Sequence, residues 1–546
     1  MAKRKSPSPK AGYASAPAAG AADAKTGKTP PAKGWSAAGY ELASVLVVAV
    51  AVAILIKWFV FDVYLIPSGS METAIHGRPD GGDRILCSKL SYRFRELKRW
   101  EVAVFDFPYE SALMYDSRES SEQYRGQNYV KRVVGLPGEN LAIYRGDIWT
   151  KPLSGGEYRR QTKPDSVQRG MWIHVAEEDF TDLRPGDLDW FWRISGDGEA
   201  KLGKNELTLS PKNGIMRMAY RPRVPAGEKR DALADAPGIP DRYVLEQPVQ
   251  FKCRNRTPEG ALCGHIFSKT VRTQNILARC PRCGSLQPET SAIFYHRRTG
   301  LPVYLSAVRT SPLAVELASS PQGENAQRTA EYHIVPDLRS ATTVVFTTDA
   351  SWFGAAIHED NRNVQAIFNA SGQIELRVNG AASRPEHRAL APFKIGASHE
   401  IEFYMADGRG RVFVDKSDTP LLDVEIWRDT RQPANMASAT PRASGVTLAA
   451  GGGDVILRQV NIDRDIFYYS GMEKSDWERR GGETFKYLMS HKGEAVIGPD
   501  AFFPMGDHAV SSYDARNWGP APLANLKGPA VLVWWPPERM HLIPSP

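Results

Sequence analysis

The chain has 546 residues, of which 42% are hydrophobic, and its formal net charge is +7 at pH 7. This length is too great for one hydrophobic core and indicates roughly two to four domains. The apolar content is ordinary for a globular protein. Because the positive charge is not concentrated in one folded region, composition gives no indication of nucleic-acid binding.

The N-terminal region combines a basic tail with an apolar run. Residues 1–36 are rich in Ala, Pro, Lys and Gly and have no hydrophobic period, which predicts a disordered tail. Residues 37–60 form an apolar segment of about 20 residues, the length of a transmembrane helix. A cleavable signal peptide is the competing interpretation, but a Lys-Trp-Phe-Val-Phe sequence starting at Lys57 stands where a small-x-small cleavage site would follow.

The basic tail also predicts the orientation of the chain. By the positive-inside rule, its lysines and arginines stay in the cytoplasm and the remainder lies on the outer side of the membrane. We therefore predict a single-pass protein of the cell (inner) membrane with an extracytoplasmic main body.

A segment of small residues follows the apolar run and is called here the serine box. It reads Ile-Pro-Ser-Gly-Ser-Met-Glu-Thr over 66–73. A serine attacks a carbonyl only when a neighbouring base takes its proton and hydrogen-bond donors meet the oxyanion. Small residues around Ser70 let a substrate backbone approach, although a Ser-Gly-Ser sequence by itself is more often an ordinary turn.

The next segments have the pattern of strands. Residues 82–87 and 100–108 are strand-like and are separated by turn signals. The lysine box, 129–139, is an apolar strand that runs into a Gly-Pro-containing turn and carries Lys131 among valines. A desolvated lysine can act as a base, since burial lowers its pKa from about 10.4 by up to roughly 3 to 5 units. The usual lysine in such a strand instead points to solvent.

A large segment, 150–475, then interrupts the β domain. It contains short stretches with strand-like alternation, such as 373–378 and 401–404, together with Asn-Gly and Asp-Gly turns and no sustained helical period. This pattern favours a β-sandwich over about 290–468. The run 346–378 resembles the laminin-G or concanavalin-type jelly rolls in pattern. Such a domain binds an unknown ligand, for example a sugar or peptide, or covers the catalytic unit.

Four of the five cysteines lie in this insertion. Cys280 and Cys283 have the spacing of a zinc knuckle, in which two thiolates reach one tetrahedral ion. Cys253 and Cys263 are further apart than usual, and His265 offers an alternative nitrogen ligand. These residues predict a structural zinc ribbon, while two disulfides are the alternative because the predicted compartment is oxidising.

A third segment, the C-terminal box, covers 505–519 and reads Met-Gly-Asp-His before continuing through Ser512, Asp514 and Arg516. Three boxes in this order behind an apolar segment resemble the type I signal peptidases, a family of membrane-anchored Ser/Lys proteases. The resemblance covers approximately 37–145 and the C-terminal part of the chain from residue 480.

The resemblance implies an enzyme that removes signal peptides from secretory preproteins. Ser70 would be the nucleophile and neutral Lys131 its base, with no cofactor for catalysis. The implied partners are signal peptides and membrane lipid, and no nucleic acid. The supporting residues that match the motif are Ser68 and the Ser70 N–H for the oxyanion hole, Ser512 as hydrogen-bond partner of the lysine amine, and Asp514 with Arg516 as a bracing ion pair.

Specificity would lie in small pockets, because signal peptides of this family end in small residues. Ordinary core packing is the alternative interpretation of the matching positions, and an apolar rim that dips into the bilayer is a further one. The pocket-lining positions carried over are Ile66, Pro67, Met71, Ile75, Tyr129 and Val130.

The chain departs from the family pattern at several positions. His508 stands where Asn is usual, and Ala515 stands where a second Ser is usual. The serine box also continues with Glu-Thr-Ala where Met-Pro-Thr or a similar sequence is common. None of these changes removes a group that the chemistry requires.

Two other functions are compatible with parts of this pattern. One is a membrane-anchored lectin-like binding protein on an inactive peptidase scaffold, which the intact Ser70 and Lys131 argue against. The other is a self-cleaving or penicillin-recognising Ser/Lys enzyme, but the latter needs Ser-x-x-Lys, and Ser70 is followed by Met-Glu-Thr.

The predicted fold class is mainly β, with one transmembrane helix and an antiparallel catalytic domain interrupted by a jelly-roll-like insertion. The predicted domains are a basic tail (1–36), a transmembrane helix (37–60), the first catalytic part (61–149), the insertion (150–475, with a zinc-ribbon-like part at 250–286) and the second catalytic part (476–546).

Overall fold

The chain is mainly β, as predicted, in the computed structural model. It divides into two compact units, Met1–Trp58 and Phe59–Pro546. The predicted disordered tail lies outside the described residues except for its last two positions. The structure describes residues 35–72, 74–77, 81–115, 121–181, 183, 186–225, 233–235, 247–253, 255–256, 261–271, 277–288, 292–295, 302–304, 334–381, 384–427, 443–470, 485–509 and 512–546.

The apolar N-terminal segment forms one helix, Trp35–Phe59. Its part Glu41–Phe59, 19 residues, is long and apolar enough to cross a membrane. The hydroxyl of Ser44, a polar side chain within this stretch, donates a hydrogen bond to the Glu41 carbonyl at 2.8 Å. The polar atom is therefore satisfied within the helix, as an apolar environment requires.

Helices in the larger unit are short. The longest described one, Tyr109–Tyr115, has 7 residues. Among the described residues, the α-helices of this unit are Ser91–Phe94, Tyr109–Tyr115, Asp165–Arg169, Lys486–Ser490 and Ala515–Trp518, and the 3-10 turns are Gly69–Met71, Leu188–Trp190, Pro385–His387, Leu523–Asn525 and Pro537–Arg539.

An antiparallel sheet built from both ends of the larger unit carries the serine, lysine and C-terminal boxes. The strand Asn128–Gly135, called here the Lys131 strand, lies between Val102–Asp106 and Ala501–Met505. Residues of the two chain halves thus become neighbours. In spatial order the strands are Phe61–Leu65, Arg84–Ser88, Leu526–Trp535, Val102–Asp106, Asn128–Gly135, Ala501–Met505 and Ala521–Pro522, with His541–Leu542 paired to Leu526–Trp535.

A second sheet of the predicted catalytic half, residues 61–149 and 476–546, packs against the same apolar core. It extends past the predicted end of the first catalytic part, because Asp147–Pro152 and Arg159–Arg160 belong to it. Leu141, Ile148 and Phe503 are buried in the shared core. In spatial order its strands are Glu494–Ile497, Glu139–Tyr144, Asp147–Pro152 and Arg159–Arg160.

The insertion contains a β-sandwich of two antiparallel sheets. The first consists of Gly198–Gly203, Glu206–Pro211, Val455–Arg464, Leu338–Phe346, Ser398–Ala406, Arg409–Val414 and Leu422–Glu425, with Ile173–Glu178 paired to Val455–Arg464. The second consists of Arg388–Leu390, Gln373–Val378, Arg362–Asn369, Trp352–Glu359, Ser444–Gly451, Ile215–Tyr220 and Trp192–Ser195.

Alternating apolar residues of the two sheets meet in one core. Phe346 and Phe403 come from the first sheet, and Phe353 and Leu448 come from the second. The predicted sandwich architecture is therefore present. It also includes strands between residues 173 and 220, which precede the range expected from about 290, because backbone pairing in a sheet does not depend on distance in sequence.

Smaller sheets occupy the described residues between 223 and 304. They contain the cysteine segment discussed below. Their strands are Arg223–Pro225 with Leu233–Asp235; Ile266–Val271, Gln247–Lys252, Ala292–Tyr295 and Pro302–Tyr304; and Leu277–Arg279 with Leu286–Pro288.

A buried ion-pair cluster joins the catalytic half to the sandwich. The Lys163 ammonium lies 2.7 Å from Asp407 Oδ1 and 2.8 Å from Asp465 Oδ2. Burial alone would lower the pKa of Lys163, but the two carboxylates raise it well above the ordinary value. Lys163 is therefore charged at neutral pH. It links Asp407, in the turn between two sandwich strands, to Asp465, which follows the strand Val455–Arg464.

Candidate active site

Ser70 lies in a single 3-10 turn, Gly69–Met71, that follows an extended residue, Ser68. The turn packs closely on a second part of the same loop, since a Cβ on Gly77 would lie 1.7 Å from the Ser68 carbonyl oxygen. Only glycine fits there. The serine hydroxyl is partly exposed and lies 3.5 Å from the Ser68 hydroxyl.

An ion pair from the C-terminal end of the chain clamps this loop. Asp83 accepts two hydrogen bonds from the Arg539 guanidinium at 2.8 and 2.9 Å. The same aspartate accepts a hydrogen bond from the His76 backbone N–H at 2.8 Å, and its carbonyl accepts one from Ile66 N–H at 2.9 Å. The two ends of the serine loop are thereby held together, which sequence reasoning did not anticipate because Arg539 carries no local signal.

Lys131 reaches Ser70 from the middle of the Lys131 strand. Its Nζ lies 2.5 Å from Ser70 Oγ, within hydrogen-bonding distance. The side chain is only 3% exposed, between the Val102–Asp106 strand and the C-terminal box. The two residues that the sequence singled out, 61 positions apart, are therefore brought into direct contact.

The environment of Lys131 favours its neutral form. Burial lowers the pKa of Lys131 from 10.5 to about 8, against the opposing pull of the Asp514 and Asp507 carboxylates. Arg516 lowers it further. An amine with this pKa is substantially neutral near pH 8 and can accept a proton there.

The C-terminal box presses against the serine turn at Gly506. A Cβ on Gly506 would lie 2.4 Å from the Ser70 carbonyl oxygen and 2.2 Å from Ser512 Oγ. Ser512 is fully buried, and its hydroxyl has no hydrogen-bond partner among the described residues. The expected hydrogen bond from Ser512 to Lys131 is thus wrong for this structure, because the hydroxyl lies against Gly506 while the lysine amine points to Ser70.

The predicted ion pair between Asp514 and Arg516 is present and fully buried. Arg516 Nε and Nη2 lie 2.9 and 2.7 Å from the carboxylate oxygens of Asp514. Asp514 also accepts a hydrogen bond from Gly506 N–H at 3.0 Å and caps the helix Ala515–Trp518. The guanidinium holds the pKa of Asp514 below its ordinary value, against the opposing effect of burial. The carboxylate therefore remains charged and fixes Gly506.

A second buried ion pair was missed by sequence reasoning. Arg132 Nε and Nη2 lie 2.7 and 2.6 Å from the Asp507 carboxylate, and both side chains are fully buried. Arg132 also donates to the Trp100 carbonyl at 2.7 Å. Because Arg132 follows Lys131, this pair fixes the backbone that carries the candidate base. Its sequence signal, a polar Lys-Arg pair in an apolar strand and an aspartate in the C-terminal box, becomes visible only once the two strands are adjacent.

His508, the residue in the position usually occupied by Asn, contacts the serine turn directly. Its backbone N–H donates to the Ser70 carbonyl at 3.1 Å, and its ring is hydrogen-bonded to the Gly69 carbonyl. Burial lowers the pKa of His508 from 6.5 to about 4, although the Gly69 carbonyl opposes this shift. The ring is therefore neutral at physiological pH.

The predicted pocket residues separate into three groups. Four of them belong to one buried or partly buried cluster beneath the serine turn, Tyr129 belongs to the neighbouring core, and Pro67 is exposed. The members of the first group are Ile66, Met71, Ile75 and Val130.

The four insertion cysteines converge although they come from three segments. Cys253 Sγ lies 3.4 Å from Cys283 Sγ, and Cys263 Sγ lies 4.0 Å from Cys280 Sγ. All four sulfur atoms lie within 4.8 Å of one another, and all four are free thiols. The alternative of two disulfides is not formed. His265 is not part of this group; its ring stacks on Phe267 instead.

Two segments of the chain, 40–182 and 450–535, match the family described as "Signal peptidase, peptidase S26". A protein named "Probable signal peptidase I-2" from Synechocystis sp. is 31% identical over 125 residues, 23% of this chain and 50% of its own length. "Probable signal peptidase I" from Mycobacterium leprae is 38% identical over 129 residues, 23% of this chain and 44% of its own length. The chain thus spans about half the length of these curated relatives.

A solved structure resembles this chain at low similarity. The laminarinase from Rhodothermus marinus is 9% identical, with 54% of this chain and 98% of that chain covered and a TM-score of 0.25. A likeness of this size identifies neither a ligand nor an activity for the insertion.

Proposed function

Because the chain belongs to the signal peptidase family, peptidase S26, we propose that it is a membrane-anchored serine endopeptidase that removes signal peptides from exported preproteins. The observation that carries the proposal is the 2.5 Å contact between Lys131 Nζ and Ser70 Oγ, with the lysine buried. A serine next to a buried amine of lowered pKa is the arrangement that nucleophilic catalysis without histidine requires.

Neutral Lys131 takes the proton of the Ser70 hydroxyl as the oxygen attacks the scissile carbonyl. The tetrahedral oxyanion would accept hydrogen bonds from the Ser70 N–H and from the Ser68 hydroxyl, whose oxygen lies 3.5 Å from Ser70 Oγ. The Lys131 ammonium then gives the proton to the departing amine, which leaves an acyl-enzyme on Ser70. A water molecule that loses its proton to the same amine hydrolyses the ester, and the regenerated serine completes the cycle.

The two buried ion pairs keep this arrangement in place. Asp514, held by Arg516, fixes Gly506 against the serine turn, and Asp507 fixes Arg132 next to Lys131. Their net charge near the amine is close to zero, since each carboxylate has its own guanidinium. The lysine therefore experiences mainly the desolvation that lowers its pKa.

The substrate would lie along the serine turn, with its small side chains directed at the cluster of Ile66, Met71, Ile75 and Val130. These side chains leave little room, because Met71 and Ile75 are at most 1% exposed. A preprotein with a small residue before the cut would fit, and a large aromatic residue would collide with this cluster.

The apolar helix would anchor the enzyme in the cell membrane, with the basic tail in the cytoplasm and the catalytic half outside. The Glu41–Phe59 segment supports the anchor by length and composition. Cysteine labelling on intact cells at an added surface cysteine in the sandwich would test the orientation. Labelling by a membrane-impermeant reagent supports the proposed topology, and labelling only after lysis contradicts it.

The four cysteines would hold one structural zinc ion. Four thiolates are the usual ligand set of a closed tetrahedral site, which has no open position for a reactant. Each of Cys263 and Cys283 is followed by a glycine with positive φ, 62° at Gly264 and 67° at Gly284, the tight turns that knuckle geometry needs. The zinc would stabilise the insertion and take no part in peptide hydrolysis.

Elemental analysis of the purified chain tests the zinc site. We expect about one zinc per chain, loss of that zinc in Cys280→Ser and Cys283→Ser, and retention in Cys87→Ala, whose thiol lies in the catalytic half. The absence of zinc from the parent chain, or zinc retained in both knuckle variants, would contradict the site.

The peptidase proposal is tested by cleavage of a secretory preprotein with the detergent-solubilised chain. The parent should cut after a small residue, while Ser70→Ala and Lys131→Met should be inactive. Ser417→Ala and Lys416→Met, on the sandwich surface, are the matched controls and should cleave like the parent. A folded parent that cuts none of a range of preproteins would instead favour a binding role for the β-sandwich.

A further inference from the structure

The tripeptide Gly506-Asp507-His508 contacts the Ser70 turn and the residue that follows Lys131. Gly506 lies against the Ser70 carbonyl, with room for no side chain. Asp507 pairs with Arg132, the residue after Lys131. The separation between serine and lysine is therefore set through three consecutive residues of the C-terminal box.

His508 supplies two of the contacts to the serine turn. Its backbone N–H meets the Ser70 carbonyl at 3.1 Å, and its ring meets the carbonyl of the preceding residue, Gly69. Within the turn, the Gly69 carbonyl also accepts a hydrogen bond from the Glu72 N–H at 3.1 Å. The His508 ring thus links the serine turn to the C-terminal box. A single helical turn has little stability of its own and depends on such contacts.

We propose that His508 is a positioning residue that holds the Ser70 turn at hydrogen-bonding distance from Lys131. The inference rests on the proposed peptidase function and assigns His508 no proton transfer. The ring acts as an N–H donor toward Gly69, and the charged group that acts on it in the buried site is Arg464.

The donor chemistry explains why histidine can replace an amide at this position. A neutral imidazole has one N–H, and a carboxamide has two, so both can donate to the Gly69 carbonyl. Alanine has none. Without the donor the turn loses its tie while the backbone bond from residue 508 remains, and the serine hydroxyl moves relative to the amine.

The consequence is expected in turnover more than in substrate binding. Displacement of a reacting group by about 1 Å costs on the order of a hundredfold in rate. His508→Ala should therefore lower kcat by roughly tenfold to a hundredfold and leave KM within about twofold. His508→Asn, which keeps an N–H donor, should restore most of kcat.

The experiment compares the parent chain, His508→Ala, His508→Asn and His358→Ala in preprotein cleavage. His358 is the matched control, since it is a partly buried histidine of the sandwich whose pKa burial also lowers. Thermal unfolding of each variant and deuterium uptake of the 66–72 peptide are measured beside kcat and KM. A faster uptake confined to this peptide is expected for His508→Ala and a smaller change for His508→Asn.

Three results would overturn the inference. One is an unchanged kcat in His508→Ala. Another is equal loss in the alanine and asparagine variants together with a lowered unfolding temperature, which indicates a purely structural role. The third is unchanged deuterium uptake at the serine turn. If the parent and every variant fail to cut preproteins, the peptidase proposal fails, while the uptake comparison still decides whether His508 holds the turn.

Discussion

The catalytic half buries charged side chains beside its candidate dyad, whereas the buried charges of the sandwich, such as Asp407 and Asp463, lie outside its apolar core. The sandwich core is apolar, with Phe346, Phe353 and Phe403 among its members. The catalytic half buries a lysine and two complete ion pairs at its centre. Burying an unpaired charge costs several kcal/mol. Even a paired buried charge stabilises a protein no more than hydrophobic residues of similar volume would. Under the proposed function, the buried charges of the catalytic half serve its chemistry, whereas the apolar core of the sandwich serves stability.

The largest expected effect separates activity from stability at Lys131. Lys131→Met should lower cleavage by about 10⁴-fold, because the proposed general base is lost. Its unfolding temperature should stay equal to that of the parent or rise, since the variant leaves no carboxylate unpaired. A strongly destabilised Lys131→Met chain would show that the amine is needed for folding and would weaken the contrast between the two regions.

The next effect concerns the buried pair between Arg132 and Asp507. Asp507→Ala leaves the guanidinium buried without its partner and should destabilise the chain by about 3–5 kcal/mol in denaturant unfolding. The matched control is Glu375→Ala in the sandwich, whose partner Arg377 is exposed and whose loss should cost no more than about 1 kcal/mol. Equal costs for the two variants would contradict the distinction between buried and surface pairs.

The pH dependence follows from the lowered pKa of Lys131. Since only the neutral amine accepts the Ser70 proton and the pKa is about 8, kcat/KM should rise about tenfold from pH 7 to pH 9. The same shift makes the folded chain lose stability as pH falls from about 10.5, the unfolded value, toward about 8. A flat rate profile over this range would mean that another group is the base.

The smallest effect is expected in the sandwich core. Ile357→Val removes one buried methylene and should cost about 0.5–1.5 kcal/mol in denaturant unfolding. Cleavage by the folded variant should equal that of the parent, because the residue lies in the sandwich and not in the catalytic core. A change in kcat would show that the insertion is coupled to the site, with the Lys163 cluster as the obvious route.

The fold was predictable where the pattern is local. Period-two alternation identified β structure, and the unbroken apolar run identified the helix Trp35–Phe59. The sandwich was predicted from short strands and turn residues. Which strands belong to the sandwich was not predictable, because the hydrophobic alternation of Ile215–Tyr220 does not reveal that this strand pairs with Ser444–Gly451.

The candidate site divides in the same way. By itself the sequence determined which groups are available: a serine among small residues, a lysine among valines, and an Asp-x-Arg motif near the C-terminus. Only the tertiary structure decided how they meet. The Arg132–Asp507 pair spans 375 residues, and Ser512 turns to Gly506 instead of Lys131. Such contacts depend on which strands become neighbours, and strand neighbours are chosen by the packing of the whole core, which no local pattern encodes.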